Sequence, residues 1–159
     1  MMAHPPNEAL DIRRRLTAFT VVGLVMLVVF ASLALVASWR LTTTPPERQT
    51  VVMTVLLIAG LCGMITSAGV IATVRVGRAA LVGGEIRPMP LARAIKLGRA
   101  WPWVSASLGL LVAAASLLSP HISRPSEEFP TLAGIVLSLL VLVAGLTVDS
   151  PTRMLRSLQ

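Results

Sequence analysis

Four stretches of this chain carry no Asp, Glu, Lys, Arg or His: Leu16 to Ser38, Val51 to Val74, Trp103 to Ser119 and Pro130 to Val148. A bilayer core about 30 Å thick takes roughly 20 apolar residues as a helix, and each window is close to that length. In hydrocarbon every backbone N–H and C=O needs a partner within its own segment, so such windows form helices. They predict an all-α integral membrane protein with four transmembrane helices in two hairpins. Composition agrees. Of 159 residues, 55% are hydrophobic and only 13% charged, where a soluble domain carries about a quarter.

The charges that remain are sorted by side. The tail 1–15 holds Arg13, Arg14 and Arg15. The connection 75–102, between the second span (51–74) and the third (103–119), holds Arg75, Arg78, Arg87, Arg93, Lys96 and Arg99. The tail 149–159 adds Arg153 and Arg156, making eleven cations on one side. Flanking the far ends of the first span (16–38) and the fourth (130–148) are only Arg40, Arg48 and Arg124. Positive-inside topology therefore predicts a multi-pass protein of the inner (plasma) membrane, one membrane domain over 1–159, with both termini cytoplasmic. The first apolar run exceeds a secretory h-region of about 7–15 residues, so it reads as an uncleaved anchor despite Val36-Ala37-Ser38. The net charge of +7 does not indicate nucleic-acid binding, because the cations cap apolar segments and do not line one solvated face.

Within the basic connection, Pro88 and Pro90 precede Leu91 to Ala100, where Leu91, Ala94, Ile95 and Gly98 gather on one helical side and Arg93, Lys96 and Arg99 on another. Trp101 and Trp103 follow. This pattern predicts a short amphipathic interfacial helix before the third span, with Arg93, Lys96, Arg99, Trp101 and Trp103 contacting anionic phospholipids at the membrane surface. Gly83-Gly84 is expected to stop the second helix. Asp149-Ser150-Pro151 is expected to start a short tail helix through Gln159, with Met154, Leu155 and Leu158 on lipid or protein.

Small residues four apart let membrane helices approach closely. Ala59, Gly63 and Ser67 do this in the second span, Ser105, Gly109 and Ala113 in the third, and Gly134 and Ser138 in the fourth. These are the expected helix-packing residues; Gly60, Ala68 and Ala72 form a neighbouring stripe. The rival reading, that the small faces line a pore, has only hydroxyls to offer, and these commonly bond their own helix.

No catalytic residue, cofactor or metal site is expected. Ion and proton pathways use ionisable groups inside the membrane, and the windows hold none. His4 and His121 lie in a tail and a turn; His121 with Glu127 and Glu128 is the one conceivable surface chelate. The single cysteine, Cys62, excludes an internal disulfide and sits in apolar surroundings that keep a thiol inert. The chain therefore reads as a non-enzyme, with no small-molecule substrate identified. In its arginine-rich flanks and four short-looped spans the whole chain resembles the small four-span membrane proteins of actinobacteria, some of which are accessory subunits of respiratory supercomplexes. That resemblance implies a non-catalytic accessory subunit packing against a larger membrane-protein complex, a respiratory-chain supercomplex first among them. The alternative is a small oligomeric transporter or channel subunit.

Overall fold

The computed structural model describes residues 6–43, 50–82, 85–122 and 129–156. Five helices and one minimal strand pair follow in chain order: α1 (Pro6–Thr43), α2 (Thr50–Ala80), β1 (Leu81–Val82), β2 (Glu85–Ile86), α3 (Pro88–Ile122), α4 (Phe129–Leu146) and α5 (Asp149–Arg156). The fold is all-helical apart from β1 and β2, which pair antiparallel with Leu81 opposite Ile86 and Val82 opposite Glu85. Four helical segments are long and apolar enough to cross a membrane. With 38 residues, α1 spans about 57 Å at 1.5 Å per residue, longer than the roughly 30 Å thickness of a bilayer core.

Helix α2 is the centre. It packs against α1 along one side and against α3 and α4 along another, while α3 and α4 pack on each other. Gly60 and Gly63 of α2 lie against Ala34 and Phe30 of α1, and Gly23 of α1 lies against Ile71 of α2. Numbers rise along one helix as they fall along the other, so the two run antiparallel. The same holds for α3 and α4, where Ser105 meets Gly145 and Ser116 meets Gly134. Two apolar clusters result. One joins Phe30, Ala59, Cys62, Val112 and Val141 across α1 to α4. The other gathers Leu16, Val74, Ala80, Leu81, Leu91, Ala94 and Leu155 at the end where the cations lie, here called the basic end.

The separate interfacial helix does not form. Residues 91–100 are the first turns of one continuous α3 of 35 residues. Pro88 and Pro90 fall in its opening turn, where the missing N–H leaves no helical bond unmade. Pro102 lies in the interior and has no N–H to offer the Gly98 carbonyl. The helix continues because one packing stripe crosses the proline: Leu91, Ala94, Gly98, Ser105, Gly109, Val112 and Ser116 are all buried, with half-buried Trp101 between. Spacings of three and four keep that stripe on one face.

At the end of α2, the helix stops at Ala80, ahead of Gly83-Gly84, and the Arg87 N–H donates to the Ala80 carbonyl at 2.9 Å. The signal for β1 and β2 was present in Leu-Val-Gly-Gly-Glu-Ile, since two glycines between short apolar-containing runs suit a two-residue hairpin loop. Helix α5 ends at Arg156; residues 157–159, including Leu158, lie outside the described residues.

Candidate functional surfaces

The interior is built from small residues and hydroxyls. Ala59 and Ser67 are fully buried, Ser105 and Ser138 nearly so, Gly63, Gly109 and Gly134 are buried and Ala113 is half-buried. On the neighbouring stripe Gly60 is buried, but Ala68 and Ala72 are exposed. The buried hydroxyls donate to carbonyls of their own helices. Thr66 reaches Cys62 at 2.9 Å, Ser67 reaches Gly63 at 2.8 Å, Thr73 reaches Gly69 at 2.9 Å, Ser105 reaches Trp101 at 3.1 Å and Ser138 reaches Ile135 at 2.7 Å. Among the described residues no buried side-chain polar atom lacks a partner. A hydroxyl bonded to its own helix offers little to a passing solute.

A polar contact joins α2 and α3. The Trp101 indole N–H donates to the Thr66 carbonyl at 3.1 Å, and the ring lies directly over Gly69, where any Cβ would fall within the indole. Trp101, half-buried, thus clamps α3 to α2. Its position on the packing stripe, three residues after Gly98 and four before Ser105, was the signal for this. Trp103 is 78% exposed. Arg93, Lys96 and Arg99 are exposed on α3.

Helix α5 was foreseen, but not its role. Pro151, Thr152 and Leu155 are buried. Thr152 lies against Gly98 of α3, and Leu155 lies over Gly77 of α2. Ile12 of α1 packs on the same cluster. Helix α5 therefore ties together the basic ends of α1, α2 and α3.

The electrostatics differ by end. By sequence, the basic end holds eleven cations against Glu8, Asp11, Glu85 and Asp149, a net +7; the other end holds Arg40, Arg48 and Arg124 against Glu47, Glu127 and Glu128, a net of zero. The ion pairs among the described residues, Arg15–Asp11 at 3.1 Å and Arg153–Asp149 at 2.6 Å, are exposed and each lies within one helix. Such pairs contribute about 0–1 kcal/mol, and neither joins two elements. Among the described residues no group of three His, Cys, Asp or Glu side chains comes together. His4, Glu127 and Glu128 lie outside those residues.

Every long helix carries exposed large apolar side chains. On α1 these include Val21, Val25, Val28, Val29, Leu35 and Trp39, each more than half exposed. The apolar window of α1 is 17% buried against 56% for α2, because α1 has one long-helix neighbour and α2 has three. The chain matches no protein-family model, no curated protein and no solved structure.

Proposed function

We propose that this is a four-span integral protein of the bacterial inner membrane, folded as two transmembrane hairpins with both termini and the basic end in the cytoplasm. Its role is that of a non-catalytic accessory or scaffold subunit packing against a larger membrane complex. The orientation is supported by the +7 against zero charge asymmetry between the ends, since Lys and Arg are retained on the cytoplasmic side.

The observation that carries the accessory role is the exposure of α1. A helix packed along its apolar window mainly on α2, with exposed valines and leucines over the rest of that window, is suited to lie against another protein's equally apolar face. Helix packing in a membrane gains little from hydrophobicity and much from close contact, so a bare helix of this kind is stabilised by a partner. The likeness to accessory subunits points to a respiratory-chain supercomplex as that partner. A transporter or channel has less support, because the buried hydroxyls are taken up by their own helices and the apolar windows hold no Asp, Glu, Lys, Arg or His.

Extraction in mild detergent followed by native electrophoresis tests the role. The expected outcome is co-migration with a larger complex carrying respiratory activity. A homogeneous self-oligomer that conducts solute in liposomes refutes it. Reporter fusions at either end of the chain test the orientation and should place both in the cytoplasm.

A further inference from the structure

Because α3 is one rod and not a helix lying in the membrane plane, its cations sit at different depths. The contact of Trp101 with Gly69 sets α2 and α3 in axial register. At 1.5 Å per residue, Arg99 lies about 3 Å, Lys96 about 8 Å and Arg75 about 9 Å from that level toward the basic end. Gly23 against Ile71 brings α1 into the same frame, and by the same rise Arg15, Arg14 and Arg13 lie about 15 Å or more away, and Arg87 about 21 Å. Trp101 and Trp103, the latter 78% exposed, lie within about 3 Å of each other along the helix, and the Trp101 level is taken as the boundary where indoles settle. A headgroup layer is about 5–8 Å thick. Taken from the Trp101 level, that layer holds Arg99 and Lys96, with Arg75 at its outer edge; Arg93 and Arg78, about 12 Å and 14 Å out, lie between the near and far tiers.

We propose that Arg75, Lys96 and Arg99 form a headgroup-level girdle that selects acidic phospholipids from the leaflet on the basic side, while the far tier, Arg13, Arg14 and Arg87, stands clear in solvent. All three near-tier cations are exposed, and the ion pairs among the described residues, Arg15–Asp11 and Arg153–Asp149, involve none of them. They sit beneath exposed apolar surface, so an occupant must offer acyl chains above and negative charge below. A phospholipid with an acidic headgroup has that form. An acidic protein docking from solvent would engage the far tier instead. The proposal rests on the membrane reading and not on the accessory role.

The test uses the isolated full-length protein in nanodiscs containing phosphatidylcholine and phosphatidylglycerol, with co-purifying lipid counted by native mass spectrometry. The wild type should retain phosphatidylglycerol preferentially. Replacing the near tier (R75Q, K96Q, R99Q together) should reduce that preference about fivefold per cation, and by on the order of a hundredfold in all, one cation near an anionic leaflet being worth about 1 kcal/mol. Replacing the far tier (R13Q, R14Q, R87Q together) should change it less than about twofold, since those charges are screened over about 8 Å. The charge-keeping R75K and R99K pair should retain the preference, and inorganic phosphate should not compete. Absence of preference in the wild type, equal loss from both tiers, loss from the far tier alone, or displacement by inorganic phosphate would overturn the girdle. Reporter fusions report on the membrane reading separately.

Discussion

Gly69→Ala is the most direct test of how this bundle is held. The added methyl group would fall inside the Trp101 indole, so either the ring rotates away or α2 and α3 separate. Rotation breaks the indole N–H bond to the Thr66 carbonyl, and hydrogen bonds between membrane helices average about 0.6 kcal/mol with a maximum near 1.7. Overpacking a well-filled contact costs about 1–3 kcal/mol. Removing a helical glycine returns up to about 1 kcal/mol of backbone propensity. The balance is a net destabilisation of about 1–3 kcal/mol, measured by equilibrium unfolding in mixed detergent micelles. The decisive comparison is the same change in a Trp101→Ala background. There the clash is gone and only the propensity gain remains, so Gly69→Ala should be neutral or stabilising by up to about 1 kcal/mol. A substitution that is equally harmful with and without the indole would refute the clamp.

Other consequences follow from particular contacts. Leu155→Ala removes the fully buried side chain that anchors α5 over Gly77, and a cavity of that kind costs about 2–5 kcal/mol; trypsin should then cleave after Arg153 and Arg156 faster than in the wild type, and an unchanged cleavage rate would count against the docked tail. Ser67→Ala loses only a bond to its own helix, so stability should change by less than about 0.6 kcal/mol; a large loss of stability, or of a transport activity, would mean the hydroxyl serves something other than packing. Asp11→Asn breaks an exposed pair and should shift unfolding by less than about 1 kcal/mol, with the shift vanishing in high salt.

The four apolar helices were legible before any tertiary structure, and for a local reason. A charge-free run of about 20 residues must satisfy its backbone internally, and neither the length nor the lack of charge depends on what lies alongside. The small residues at Gly63, Ser105 and Gly109 were legible as packing candidates on the same footing. The partners of those residues were not. In a soluble protein the contrast between water and core marks which face is buried. Lipid tails are as apolar as leucine, so Val21 on the outer surface of α1 and Val112 in the bundle interior read alike.

Residues 88–103 show what only the tertiary structure decided. Pro102 and a cluster of cations favour a break when read locally, yet the buried stripe from Leu91 to Ser116 runs straight through. Contact with α2, α4 and α5 outweighs one missing helical hydrogen bond. The same contacts draw Trp101 inward while Trp103 stays outside, although composition treats the two tryptophans as equals. The backbone's need for hydrogen bonds determined that helices would form; the fit of side chains between neighbouring helices decided where each one runs and what it touches.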